Sequence, residues 1–147
     1  MHYKHIIRAV NRGKCMSLQI QQQDDSTIYC VRMMGHMTVQ QLRASFAHFA
    51  SIAADGDRSQ LYRVVDFTGF TADLTTRQQL ARLMSTQIPG SYRDPRIKTV
   101  LTCSQCYPHM AILLMTKHNL LLPVFSSVAD AIDAINALNH GNATHHA

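Results

Sequence analysis

The fold is decided by the stretch Tyr62-Arg63-Val64-Val65-Asp66-Phe67-Thr68-Gly69-Phe70, which predicts a buried strand followed by a turn. Most of its residues are β-branched or aromatic, the types that strands prefer, and Gly69 marks its end. In an open α/β sheet, sites are built from the loops that leave the carboxyl ends of strands. The sequence therefore predicts a functional surface from Asp66 to Thr76.

Strand and helix patterns alternate on both sides of this stretch. Two short strands come before it, joined by a polar turn, and we expect them to pair antiparallel. The later strands alternate with helices, which predicts parallel pairing and right-handed crossovers. We expect the helices to begin near Thr38, at Thr75 or Thr76, near Pro108 and near Ser127. The predicted fold is α/β, with a mixed, mostly parallel five-stranded sheet and about four helices in the order β-β-α-β-α-β-α-β-α.

Length, composition and charge limit the function classes. A chain of 147 residues fits one domain, which we expect at residues 16–139, after an N-terminal arm or edge segment (1–15) and before a disordered tail (140–147). The net charge of +5 is scattered along the chain, so no nucleic-acid partner is predicted. No apolar run has the length of a signal peptide or a membrane span. We therefore predict a cytoplasmic protein.

The order of the predicted elements resembles the STAS domain, the fold of bacterial anti-sigma-factor antagonists. It is most similar to small bacterial proteins of that fold whose functions are largely undefined. Four features, covering roughly residues 16–139, carry the resemblance: Gly35 before the first helix; the strand ending Asp66-Phe67-Thr68; the apolar strand from Ile97 after Arg96; and Pro123-Val124-Phe125-Ser126 before a helix with Asp130-Ala131.

The resemblance implies a non-enzymatic regulatory domain that works by protein–protein contact and has no cofactor. In the antagonists, a Ser or Thr that opens the helix after this strand is phosphorylated by a partner kinase. The resemblance thus implies a protein partner of a kinase-like kind and a homodimer, and Thr75 and Thr76 stand at the place of the phosphorylated residue. The predicted partner-binding and switch residues are Asp66, Thr68, Phe70, Asp73, Thr75, Thr76 and Arg77. A phosphate at a helix N-terminus meets free N–H groups but adds about two negative charges to a docking face. Helix capping alone would also explain both Thr.

A thiol–disulfide protein is one alternative. The motif Cys103-Ser104-Gln105-Cys106 leaves a predicted strand and enters a predicted helix, where the helix dipole lowers the pKa of a thiol. A thioredoxin-like redox site has the same placement. The aromatic residue that commonly precedes such a motif is Thr102 here. Two incidental thiols are the other interpretation of this pair.

A carrier of a small apolar ligand is the second alternative. A cleft near the predicted functional surface could be lined by Met and Phe side chains, namely Met33, Met34, Phe67, Phe70, Met84 and Met110. Core packing is the other interpretation of these residues. The nine His show neither an HExxH nor an HxH pattern, so no metal site is predicted. Without a nucleophile elbow or a phosphate-binding loop, no catalytic residue is predicted either.

Overall fold

A computed structural model describes residues 3–9, 18–24, 26–55, 60–103 and 109–145 of the chain. The strands are β1 (Tyr3–Ala9), β2 (Leu18–Gln23), β3 (Ile28–Gly35), β4 (Leu61–Phe70), β5 (Ile97–Thr102) and β6 (Val124–Phe125). The helices are α1 (Val39–Asp55), α2 (Leu74–Met84), α3 (His109–His118) and α4 (Val128–His145). None of the helices within the described residues is both long enough and apolar enough to cross a membrane.

The strands form one sheet in the order β1-β2-β3-β4-β5-β6. The pairs β1–β2 and β2–β3 are antiparallel, whereas β3–β4, β4–β5 and β5–β6 are parallel. The predicted α/β class, the order of elements from β2 onward and the central parallel place of the decisive strand are confirmed. β1 is an additional strand within the predicted arm, and it covers backbone groups that β2 would otherwise leave unpaired.

The sheet separates two hydrophobic cores. Successive side chains of a strand point to opposite faces, and β4 shows this clearly: Val65 and Phe67 belong to the larger core, beneath α1, α2 and α3. Val64 belongs to the smaller core, beneath α4. Asp66 follows the same alternation and lies on the α4 side. The pairing of β3 with β4 is irregular between Asp66 and Gly69, so the alternation is interrupted there, and Phe70 packs against the larger core like Phe67.

The helix starts agree with the sequence at α1 and α4 and differ at α2. Thr38 and Gln41 form a reciprocal capping box, with N–H to side-chain oxygen distances of 2.9 and 3.1 Å. Ser127 accepts a hydrogen bond from the Asp130 N–H at 3.0 Å. The predicted start of α2 at Thr75 or Thr76 is wrong, because Asp73 is the N-cap and helix residues begin at Leu74. A carboxylate makes a charge-assisted bond that a hydroxyl does not.

The later helices settle two further points. The apolar run from Met110 to Met115 is helical and belongs to α3. Asn119, with φ of 53°, stands just after the last residue of α3 in the left-handed conformation that often ends helices. Helix α4 continues to His145, into the segment 140–147 that the sequence predicts as a disordered tail. Gly141 does not end this helix.

Arg63 is a buried cation at the centre of the larger core. Its side chain is 1% exposed, and its guanidinium lies 4.7 to 5.5 Å from three aromatic ring centroids, those of Phe46, Phe49 and Tyr92. It donates hydrogen bonds to Thr99 Oγ1 (3.1 Å) and to two carbonyl oxygens, those of Gly90 (2.6 Å) and Ser91 (2.8 Å). Burial lowers the pKa of Arg63 to about 10, so the group stays charged at neutral pH.

The loop of Gly90 and Ser91, which Arg63 binds, is also held by a close contact with α1 and by hydrogen bonds to Asp94. Gly90 has φ of +84°, and a Cβ built there would stand 1.9 Å from the Phe46 carbonyl oxygen, so only glycine fits against α1. Asp94 accepts the Gly90 N–H at 2.7 Å and two hydrogen bonds from the Arg96 guanidinium at 2.7 and 3.0 Å. These bonds lower the pKa of Asp94, and the side-chain hydrogen bonds from Arg96 are the largest cause.

Candidate functional site

A pocket of about 290 Å³ opens at the carboxyl ends of β4 and β5. We call it the rim pocket. It lies at the edge of the sheet where the sequence predicts a functional surface. Its lining residues are Phe67, Phe70, Thr71, Ala72, Arg77, Leu101, Thr102, Cys103, His109, Met110, Ala111 and Val124.

Several elements contribute the walls of the rim pocket. The end of β4 provides Phe67 and Phe70, whose ring centroids are 5.5 Å apart. Helix α3 provides Met110 from its first turn, and the short edge strand β6 provides Val124. The walls are therefore mainly aromatic and aliphatic. A concave, mostly apolar surface with few polar groups is typical of small-ligand sites.

The permanent charge on the described walls of the rim pocket is positive. Arg77, in the first half of α2, lines the pocket, and its Nε is buried without a hydrogen-bond partner among the described residues. His109 is the first residue of α3, and the first turn of α3 contains no acidic side chain. The free N–H groups of a helix N-terminus favour negative charge. Among the described residues, no Asp or Glu lines the pocket.

The start of α2 lies beside the rim pocket and is more exposed. Asp73 accepts a hydrogen bond from the Thr76 N–H at 2.7 Å, and this bond is the main cause that lowers the pKa of Asp73. Thr75 is exposed and Thr76 is half-buried. Leu74 is 57% exposed, so an apolar side chain stands in solvent at the first helical position.

Asp66 and Thr68 lie on the other side of the sheet from the rim pocket. The Thr68 N–H and hydroxyl donate to Asp66 Oδ1 at 2.9 and 2.5 Å. Arg32, opposite Asp66 on β3, places its Nε 3.8 Å from Asp66 Oδ2. The Thr102 hydroxyl adds a longer contact of 3.4 Å. The Asp66 carboxylate thus ties three strands together on the α4 face.

The sequence-predicted switch residues therefore divide into three groups. Phe70 and Arg77 line the rim pocket. Asp73, Thr75 and Thr76 form the exposed start of α2. Asp66 and Thr68 lie on the opposite face, since alternation separates Asp66 from Phe67. The irregular pairing of β3 with β4 between Asp66 and Gly69 interrupts this alternation, so Phe70 shares the face of Phe67. The structure does not bring all seven residues to one surface.

The sequence-predicted ligand cleft is brought together only in part. Phe67, Phe70 and Met110 line the rim pocket, whereas Met33 and Met84 are 1% and 0% exposed members of the larger core. Sequence reasoning missed five lining residues as members of a site: Leu101, Thr102, His109, Ala111 and Val124. The signal for His109 is Pro108, which predicts a helix start beside Cys103. The small residues carry no such signal.

The two described cysteines differ in oxidation state. Cys103 lines the rim pocket and is disulfide-bonded, whereas Cys106 lies outside the described residues. Cys30 is free and buried, and burial, then the charge of Asp66, raises its pKa to about 11. Disulfides in cytosolic proteins are mostly transient, catalytic or redox-sensing. Thiol–disulfide exchange at Cys103 and Cys106 stays a hypothesis.

A second, wider cleft lies along β5 and α4 and borders both hydrophobic cores. It measures about 660 Å³ and runs between α4, β5 and the segment 120–123. Ala134 and Leu138 of α4 line it, together with Tyr92 and Lys98. The described residues contain no group of three or more His, Cys, Asp or Glu that could hold a metal ion.

Comparison of the sequence with protein-family models and with curated proteins gives no match. Sequence similarity therefore assigns neither a family nor an activity to this chain. Because one fold can support many functions, the functional argument depends on the chemistry of the rim pocket and its surroundings.

Proposed function

We propose that the protein is a non-enzymatic carrier or receptor of a small, mainly apolar ligand that binds in the rim pocket. The observation that carries the proposal is the pocket itself, with Phe67, Phe70 and Met110 forming its apolar walls. Met and aromatic side chains suit such a role, because Met adapts its shape and aromatic rings supply large apolar contact areas. The position at the carboxyl ends of parallel strands agrees with the general location of ligand sites in α/β sheets.

The volume of the pocket limits the ligand to a small molecule. At about 30 Å³ per water molecule, 290 Å³ corresponds to roughly ten waters. An eight-carbon alkyl chain with a small polar head is a suitable probe of this size. Because the described lining offers few polar groups, we expect affinity to come mainly from apolar surface, at about 25 cal/mol per Å² buried.

The proposal is tested by titrating ¹⁵N-labelled protein with 1-octanol and following the backbone amide signals. We expect saturable shifts at residues of the rim pocket, including Phe70 and Met110. The variant Ala72→Trp should fill the pocket and abolish these shifts. The matched variant Ala134→Trp, in the second, wider cleft, should leave them unchanged. Shifts that never saturate, or that centre on Ala134, would overturn the proposal.

Protein–protein contact of the STAS-like type is the second candidate function. It is supported by the exposure of Leu74 (57%) beside the exposed Thr75. An apolar side chain next to a modifiable hydroxyl is a plausible docking point, and a phosphate there would add charge at the contact. The regulated partner would be a protein, and a second copy of the chain is one option.

A capture experiment tests this second function. Full-length protein, the double variant Thr75→Glu/Thr76→Glu and the control Thr116→Glu, which changes an exposed Thr of α3, serve as baits. A partner that binds the wild type and Thr116→Glu but not the double variant supports a switch at α2. Equal recovery by all three baits removes the switch. Size-exclusion chromatography of the same samples measures self-association.

A further inference from the structure

We infer that the ligand of the rim pocket is an anion with an apolar body, such as a medium-chain carboxylate, and that Arg77 recognises its charged group. This inference rests on the proposed ligand-binding function and names the chemical class of the ligand.

Arg77 differs from other arginines of the chain in the hydrogen bonding of its Nε. The Nε of Arg63 donates to Thr99 Oγ1, that of Arg93 to the Ser85 carbonyl oxygen, and that of Arg96 to Asp94 Oδ1. The Nε of Arg77 is buried and has no acceptor among the described residues. Most buried polar atoms in proteins have a partner. Because Arg77 lines the rim pocket and its Nε has no acceptor among the described residues, its guanidinium is available to a ligand that brings an anionic acceptor into the pocket.

The charges around Arg77 favour an anionic ligand. The described lining has no acidic side chain. The carboxylate nearest along α2, Asp73, accepts the Thr76 N–H as the helix cap and also interacts electrostatically with Arg77, but it does not line the pocket. The N-terminal turn of α3 also borders the pocket, and its N–H groups carry partial positive charge. An anion entering the pocket is therefore attracted by two elements and meets no carboxylate on the described walls.

The number of cations on the pocket wall determines which charge of anion fits best. Arg77 is the one permanent cation in the described lining. A single guanidinium pairs well with a singly charged carboxylate through planar, charge-assisted hydrogen bonds. The apolar body of the ligand then lies against Phe67, Phe70 and Met110. A doubly charged phosphate would be left partly uncompensated in so apolar a site.

The experiment compares three probes of equal chain length: octanoate, 1-octanol and octylammonium. Dissociation constants are measured by the amide-shift titration described above. We expect octanoate to bind wild-type protein at least about tenfold more tightly than 1-octanol, as one charge-assisted contact allows. Octylammonium should bind most weakly, because Arg77 repels it.

Two variants with the same charge change separate a local effect from a general one. Arg77→Met should remove the preference for octanoate, so that the ratio of the octanoate affinity to the 1-octanol affinity, measured in the same variant, falls to about one. Arg82→Met, on the exposed side of the same helix, should keep the wild-type preference. Thermal melts of both variants check folding, and the ratio of the two affinities in wild-type protein is a measurement that needs no variant.

The possible failures are distinguishable. If neither octanoate nor 1-octanol binds, the proposed function fails, and the inference falls with it. If both bind wild-type protein equally, or if Arg77→Met keeps the octanoate preference, the inference is overturned while the carrier function stands. An equal loss of preference in Arg82→Met would show that net charge, rather than Arg77, selects the anion, and would also overturn it.

Discussion

Replacing Arg63 by Met tests whether a buried charge stabilises this fold. The substitution removes three hydrogen bonds from the guanidinium and leaves the carbonyl oxygens of Gly90 and Ser91 without that donor. Hydrogen bonds to charged groups contribute about 1.5–3 kcal/mol each, and the contacts with three aromatic rings add about 0.5–1 kcal/mol each. The apolar Met side chain recovers about 2 kcal/mol through burial. Removing the guanidinium also recovers the cost of burying its charge, several kcal/mol, so we expect a net loss of about 3–5 kcal/mol.

The assay is urea unfolding followed by far-ultraviolet circular dichroism, since the chain has no Trp to report by fluorescence. The midpoint should fall while the slope of free energy against urea stays constant. For a chain of this length the loss corresponds to roughly 10–15 °C in Tm. Arg63→Lys keeps the charge but not the forked geometry, so it should lose about half as much. The exposed Arg43→Met is the control and should change stability by less than about 0.5 kcal/mol.

The opposite outcome has a clear physical meaning. Some buried ion pairs cost more to remove from water than they return, and their replacement by apolar residues stabilises the protein. If Arg63→Met were as stable as the wild type, or more stable, the cost of burying the guanidinium would exceed the value of its three hydrogen bonds. The reasoning about Arg63 as an anchor would then be refuted.

Three further predictions concern the loop after α2 and the buried thiol. Gly90→Ala should destabilise the protein by about 3 kcal/mol or more in urea titrations, because it combines a positive φ with a clash against the Phe46 carbonyl; an unchanged midpoint would contradict the close approach. Asp94→Asn should lower the free energy of unfolding at pH 7 by about 2–4 kcal/mol. Since the pKa of Asp94 is lowered in the folded state, its contribution is complete above the ordinary carboxyl value of about 4 and is lost as pH falls below it. The variant should therefore show a flatter fall in stability below about pH 4, and curves parallel to the wild type would count against this. Cys30, with its pKa raised to about 11, should react with iodoacetamide far more slowly in native protein than in urea, as peptide mass spectrometry would measure; equal rates would show that it is accessible.

The fold was predictable because its signals are local. A run of β-branched and aromatic residues between turn residues identifies β4, and alternating strand and helix patterns identify the parallel sheet. The start of α2 was misplaced because two adjacent Thr suggest a cap, whereas the carboxylate of Asp73 competes more effectively for the same N–H groups. Local rules describe what each residue prefers but do not always rank neighbouring candidates.

The role of Arg63 was not predictable from its own surroundings. A charged residue within a strand usually indicates a solvent-facing position. The groups that satisfy Arg63 lie 27 to 36 residues away along the chain, and the rings around it come from α1 and from the loop before β5. No sequence period connects these elements. Only the folded arrangement shows why a cation can stay buried there.

The rim pocket was predictable in location but not in membership. The rule for carboxyl ends of strands pointed to the correct edge of the sheet, where Phe70 and Arg77 meet. The alternation of side chains could have separated Asp66 from Phe67, because neighbours in a strand face opposite sides. The contributions of Val124 and Ala111 depend on how β6 and α3 pack, which the sequence does not specify locally.

Because the rim pocket is walled by strands, helices and a loop that are distant in sequence, it exists only when the whole domain is folded. Any molecule that occupies it must therefore shift the folding equilibrium by mass action, by about 2.7 kcal/mol at a hundredfold excess over its dissociation constant. Resistance to heat becomes a general reporter of occupancy, which needs neither a labelled ligand nor a known reaction. Protein that melts at a higher temperature before extraction with organic solvent than after it would be carrying its natural ligand from the cell.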